Sequence, residues 1–175
     1  MPVRRAKGTE IERCREIERQ AAAVFDATQY AHLDLSTPQD EAVVRAAYVD
    51  QLLWVAVDEE DRPVGHLTAA KGQRGLLIAQ IDVLPDHQRK GLARELIGEA
   101  EAEASHRGLP YIWLRTFRDI PWNAPFYARL GYEVVEDAVD ESEVVDQERS
   151  AGLDPATRVT MRKALPDANA RTANS

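Results

Sequence analysis

The sequence predicts a mixed α/β fold, in which a largely antiparallel central sheet with one parallel strand pair is flanked by helices. Three observations carry this. The apolar period changes from helical to extended after Gln51. Three extended segments then follow one another through short turns, as in a meander of hairpins. A long helical pattern next separates two further extended segments, the sign of a parallel crossover. With 175 residues, 44% of them apolar, the chain is long enough for one domain with a core of its own. Residues 1–165 are read as that single domain, and the polar, aperiodic residues 166–175 as a disordered tail.

Taken in order, Ile11 to Phe25 places Ile11, Cys14, Ile17, Ala21 and Val24 at helical spacing, with Thr9 as a plausible cap. A second helix is expected to open at Thr37-Pro38-Gln39-Asp40, with a hydroxyl at N-cap, proline at N1 and an acid in the first turn. It runs through Val43, Val44 and Ala47 to about Gln51. Leu52–Val57 reads as a buried strand, Asp58–Arg62 as a charged turn and Pro63–Ala69 as the returning strand. Gly72 and Gly75 bound the next turn, and Leu76–Leu84 is the third strand, ended by Pro85. A helix from about Gln88 to His106 carries Leu92, Leu96, Ile97, Ala100 and Ala104 on one face, and Gly108 closes it. Tyr111–Thr116 is the parallel partner of Leu76–Leu84. Pro121–Leu130 forms a short helix stopped by Gly131. Tyr132–Val135 and Thr157–Arg162 are the last strands, joined by an acidic loop from Glu136 to Asp154.

Composition excludes several classes. Thirty acidic against 22 basic residues leave a net charge of −8, which argues against a nucleic-acid partner because phosphate binding needs a basic face. The one cysteine, Cys14, rules out an internal disulfide and a cysteine-based zinc site. The longest strongly apolar run, Leu52–Val57, is far short of the ~20 residues that span a bilayer, and no signal peptide follows the basic start. No membrane partner and no metal are expected, and the location is read as cytoplasmic. Hydrolase, zinc-protease, Walker and dinucleotide-binding motifs are missing from the sequence.

The most informative segment is Ile81-Asp82-Val83-Leu84-Pro85-Asp86-His87-Gln88-Arg89-Lys90-Gly91-Leu92-Ala93. A strand ends, the chain turns and a helix begins. Free N–H groups at a helix start form an anion site, to which the helix dipole adds. Gly91 admits a phosphate to the backbone without a Cβ in the way, and Arg89, Lys90 and Arg94 gather positive charge in an acidic chain. From spacing alone, a solvated basic first turn is an equal reading.

Gln88, Gly91 and Ala93 match the Gln/Arg-x-x-Gly-x-Gly/Ala pattern, and Phe126-Tyr127-Ala128-Arg129-Leu130-Gly131-Tyr132 matches a Phe-Tyr-x-x-x-Gly-Phe segment downstream. On these two motifs, in this order, the chain resembles the GNAT superfamily of N-acetyltransferases over roughly residues 3–164. The resemblance implies acetyl-CoA as co-substrate. Gln88, Arg89, Lys90, Gly91, Leu92, Ala93 and Arg94 would hold its pyrophosphate, and Ile81 to Val83 would pair with the pantetheine amides. Strands Leu76–Leu84 and Tyr111–Thr116 would splay apart around the thioester. A backbone N–H near Val83 would stabilise the oxyanion, and Tyr127 would protonate the leaving thiolate.

Two positions depart from the family pattern. Gln80 stands where many members carry a glutamate base, and an amide has no useful basicity. Asp82, two residues on and on the same strand face, is the named replacement, the alternative being that it only holds a turn or pairs with a neighbouring cation. Ile120 stands where an asparagine commonly holds pantetheine, and Asn123 is the substitute considered. His66 is a further candidate base, and Trp122 could shape the pantetheine pocket. Deprotonation of the amine by bulk water before binding is expected, which makes kcat/KM rise with pH toward the amine's own pKa. The resemblance therefore implies transfer of an acetyl group to a primary amine of a small molecule or peptide, with an acyl-CoA-binding regulatory module as the alternative. A homodimer is left open.

Overall fold

A computed structural model describes residues 3–136 and 141–166, and the chain forms two compact units, Met1–Ala70 with Ile78–Ala100 and Lys71–Leu77 with Glu101–Ser175. The first unit contains β1 (Val3–Arg5), α1 (Ile11–Ala21), α2 (Glu41–Val49), β2 (Leu53–Val57), β3 (Pro63–Lys71) up to Ala70, and β4 (Leu76–Val83) from Ile78 onward. It also holds the start of α3 (Leu92–His106). β2 pairs antiparallel with β1 on one side and β3 on the other, with Leu53 opposite Thr68 and Val55 opposite His66. Every residue of β2 is buried, and Cys14, Ile17 and Val44 bring the inner faces of α1 and α2 into the same unit's core.

The remainder of α3 lies in the second unit with β5 (Tyr111–Phe117), α4 (Ala124–Arg129), β6 (Glu133–Val135), α5 (Glu141–Ser150) and β7 (Arg158–Ala164). Here the beginning of β4 runs parallel to β5, with Leu76 opposite Ile112 and Leu77 opposite Trp113. β7 lies between β5 and β6 and is antiparallel to both. The strand order is β1-β2-β3-β4-β5-β7-β6, a mostly antiparallel sheet with the expected parallel pair. Trp54 and Trp113 are core residues of their strands. Gly75 is required at its turn, because a Cβ would fall 2.2 Å from the Tyr111 ring. Gly108, at φ +69, ends α3, where Leu109 N–H returns to Ala104 O. No described helix is long and apolar enough to cross a membrane.

Several boundaries differ from expectation. The first helix stops at Ala21 and tightens into a 3₁₀ turn over Ala22–Ala27, closed by the Thr28 hydroxyl donating to Phe25 O. Thr9 does not cap it: Thr9 lies inside a 3₁₀ turn, Gly8–Glu10, and Glu10 itself accepts the Lys7 N–H at 2.7 Å. The α2 cap is Asp40, which accepts Ala42 N–H at 2.8 Å, whereas Thr37 turns back to Asp34. An Asp40→Ala chain should therefore lose about 1 kcal/mol of unfolding free energy in urea, and an unchanged midpoint would show the cap to be idle. β1 is only three residues long, too short to carry an alternating pattern. The predicted tail residues 167–175 lie outside the described residues.

The largest correction concerns the acidic loop from Glu136 to Asp154. Residues 137–140 of it lie outside the described residues, but Glu141–Ser150 is helix α5. Its inward stripe, Glu141, Val144, Val145 and Glu148, sets two half-buried valines between two carboxylates. Arg115 of β5, with a side chain only 5% exposed, donates to Glu148 at 2.9 Å, Glu141 at 2.5 Å and the Thr160 hydroxyl at 2.8 Å. Arg158 donates to the other Glu148 oxygen at 3.1 Å. Burial draws the Arg158 guanidinium below its usual range, against the upward pull of Glu148.

Candidate functional site

The loop after β4 is built differently from the continuous helix that its sequence predicts. Pro85–His87 makes a 3₁₀ turn, Gln88 is extended, and α3 begins only at Leu92. Arg89 at φ +58 and Gly91 at φ +85 explain the delay, since left-handed backbone cannot continue a right-handed helix. The first helical hydrogen bond is Glu95 N–H to Gly91 O. Among the described residues, the amides of 89 to 94 precede it with no backbone carbonyl partner. Amides left free in this way, with alternating backbone hand, form an anion-accepting concavity.

Two details bear on what the concavity can hold. A Cβ built on Gly91 meets nothing within 4 Å, so the space in front of this backbone is open. Gln88 closes the loop from behind: its Nε2 donates to Val83 O at 3.0 Å. Lys90 Nζ donates to Asp86 O at 3.0 Å, while Arg89 and Arg94 are exposed. Leu92 is buried and anchors the helix start; Ala93 and Ile81 are half-buried.

Along β4, Gln80 Nε2 donates to Asp82 Oδ2 at 2.8 Å. Asp82 Oδ2 also lies 3.5 Å from Nε2 of His66, which is fully buried on β3. That nitrogen has no aligned hydrogen-bond partner. The sequence reading missed one neighbour, Glu18 of α1, a buried carboxylate that accepts the Gln39 N–H at 3.0 Å. Burial pushes its carboxyl up to about 7, Asp82 adding to the rise, while the Gln39 N–H, His66 and Arg15 oppose it. The signal was present: Glu18 follows Ile11 by seven residues and Cys14 by four, so it shares their inward face.

The second unit holds Tyr127 and Asn123. Tyr127 is buried on α4, edge-on to Phe126 at 5.2 Å and to Tyr132 at 5.9 Å between ring centroids. Asn123 precedes the helix, accepts Tyr127 N–H on its carbonyl, and has a buried Nδ2 with no hydrogen-bond partner. Ile120 is a core residue, and Trp122 is exposed. Tyr132 donates to Glu101 at 3.1 Å; burial first, and then Glu101, hold its phenol far above the ordinary range. Cys14 is fully buried, and burial pushes its thiol up to about 12.

A sequence profile of the acetyltransferase (GNAT) family matches residues 12–132, and the chain belongs to that family, whose members are acetyl-CoA-dependent N-acetyltransferases. Its fold is similar to the ribosomal-protein-S18-alanine N-acetyltransferase of Escherichia coli, at TM-score 0.67 and 16% identity, covering 95% of each chain. It is also similar to the PaiA N-acetyltransferase of Thermoplasma acidophilum in complex with coenzyme A, at TM-score 0.65 and 17% identity, covering 93% of this chain and 98% of that one. Rv2747 of Mycobacterium tuberculosis, in complex with CoA and NLQ, aligns at TM-score 0.67 and 18% identity over 95% of this chain and 100% of that one.

Proposed function

We propose that the protein transfers an acetyl group from acetyl-CoA to a primary amine of a small molecule or peptide. The observation that carries this reading is the open backbone surface at Gly91, ahead of the first helical hydrogen bond of α3. The amides of residues 89–94 would receive the pyrophosphate oxygens, with Arg89 and Arg94 adding charge. Ile81 and Val83 at the end of β4 would pair with the pantetheine amides. Asn123, whose Nδ2 is orphaned, has a donor to offer the same arm. Bound acetyl-CoA supplies an activated acyl group. The amine nitrogen attacks its carbonyl, the C–N bond forms, the C–S bond breaks, and the Tyr127 hydroxyl gives its proton to the departing sulfur.

The test is coenzyme binding. Acetyl-CoA should raise the Tm of the wild-type chain and leave that of Gly91→Val unmoved, because the added side chain fills the space a phosphate must enter. At φ +85 the substitution also strains the backbone, so Gly91→Ala separates the two effects: strain is shared, and blockage is smaller. Equal coenzyme affinity in folded wild-type and Gly91→Val chains would remove the loop from the site.

The buried Ile120 and the non-basic Gln80 favour one other reading, an acyl-CoA-binding module without catalysis. Thiol release from acetyl-CoA that depends on an added amine distinguishes the two.

A further inference from the structure

Register sets Trp113, Arg115 and Phe117 of β5 across from Arg162, Thr160 and Arg158 of β7, so all six share one face of the sheet. Three of them are arginines, in a chain whose net charge is −8. Helix α5 lies against this face and sends two carboxylates into it. We propose that the face is a carboxylate-binding site in its own right, that Glu141 and Glu148 occupy it as a built-in ligand, and that a small dicarboxylate from solution takes their place. The site lies wholly within the second unit, and its existence does not depend on acetyl transfer.

The side chains are arranged to receive two carboxylates. Glu148 is gripped from both sides: Arg115 Nε donates to its Oε2 at 2.9 Å, and Arg158 Nε donates to its Oε1 at 3.1 Å. Glu141 Oε1 accepts from Arg115 Nη1 at 2.5 Å and from the Thr160 hydroxyl at 2.6 Å. The strands themselves orient the donors. Arg158 Nη2 donates to Arg115 O at 3.3 Å, and its guanidinium stands 4.6 Å from the centre of the Phe117 ring. Arg162 stacks on Tyr111 at 4.9 Å. Guanidinium groups held in this way bind a carboxylate with little further loss of side-chain freedom.

One donor on this face is left over. Trp113 is 2% exposed, and its buried Nε1–H has no hydrogen-bond partner. A buried donor without an acceptor is costly. The tethered carboxylates satisfy the arginines and miss this N–H, whereas a free dicarboxylate has four oxygens and no helix to constrain them. The seat of α5 is otherwise thin: Glu148 is its one buried residue, and Val144 and Val145 are only half-buried. Exchanging one carboxylate for another keeps both arginines paired and returns Glu141 and Glu148 to water, so the desolvation that opposes a buried ion pair is common to either occupant. The advantage of α5 is its tether, equivalent to a concentration on the order of millimolar. A dicarboxylate whose two groups are joined by a short methylene chain suits two acceptors that share the Arg115 guanidinium, and it competes at concentrations of that order.

Glutarate is the probe, and the Trp113 indole N–H is the reporter, resolved from those of Trp54 and Trp122 in ¹H–¹⁵N spectra of the full chain. In the wild type this signal should shift saturably with a Kd on the order of millimolar, beyond any shift caused by sodium chloride at equal ionic strength. Amide exchange in α5 should quicken as the helix is displaced. The double variant Glu141→Gln, Glu148→Gln makes the hydrogen bonds of the built-in ligand neutral and should bind glutarate at least about tenfold tighter. Arg158→Lys keeps the charge, loses the planar fork and should bind it at least about tenfold more weakly. A Trp113 signal that moves no further with glutarate than with chloride overturns the proposal. Equal affinity in the wild type and the double variant also overturns it, as does a saturable shift with α5 exchange unchanged, because the helix would then not be what the ligand displaces. The wild-type titration decides alone if a variant does not fold. None of these results bears on the acetyl-transfer reading, which coenzyme binding and amine-dependent thiol release test separately.

Discussion

Replacing Tyr127 by Phe is expected to lower kcat by about 10²–10⁴-fold, the usual worth of a positioned general acid, and to leave acetyl-CoA affinity unchanged. The argument turns on what the substitution keeps. The Tyr127 ring packs edge-on against Phe126 and Tyr132, and its backbone N–H is held by Asn123 O. All of these contacts survive in phenylalanine, and only the hydroxyl is removed. Saturating both substrates and measuring kcat isolates the chemical step, while calorimetry reports the coenzyme Kd separately. Tyr132 is the internal control, since its hydroxyl is committed to Glu101, which Lys163 also holds at 2.8 Å. Tyr132→Phe should stay within a factor of about two of the wild type. The same small effect in Tyr127→Phe would make Tyr127 a packing residue.

Arg115→Leu is expected to destabilise the protein by about 3–5 kcal/mol, the cost of leaving buried charge uncompensated. Arg115 joins β5 to α5 through Glu148 and Glu141 and reaches Thr160 on β7. Without the guanidinium, Glu148 keeps Arg158 but faces Glu141 across an apolar side chain. Equilibrium unfolding in urea reads the loss, and far-ultraviolet circular dichroism shows whether α5 melts first. A change below about 1 kcal/mol would mean that water reaches these carboxylates readily.

The same helix shows where the sequence stopped being legible. A buried helix face is usually recognised by apolar residues at helical spacing, and the residue that α5 buries is Glu148. Its partners, Arg115 and Arg158, are distant in sequence, so no local pattern announces the pairing. β2, β3, β4 and β5 were readable because their side chains are β-branched, aromatic or continuously apolar between turn residues. The two motif segments were readable because glycine and small residues there have a steric purpose. The start of α3 was not, because Arg89 has no intrinsic preference that would announce a positive φ. Glu18 is a different case. Its inward position follows from Ile11 and Cys14, but a charged residue does not belong to the apolar pattern by which such a face is recognised.

Cys14 has a practical consequence. It is the chain's one cysteine, fully buried, with a thiol that titrates near 12. At pH 7 about one such thiol in 10⁵ is ionised, and the thiolate is the reactive form. A disulfide reagent mixed with the native enzyme therefore stays colourless until coenzyme A is released, which gives turnover assays an intrinsically dark background. The same silence ends when α1 lifts away from the core. Slow labelling of Cys14 then counts the openings of the first unit, and a ligand that slows it reports its own binding without any tag or engineered probe.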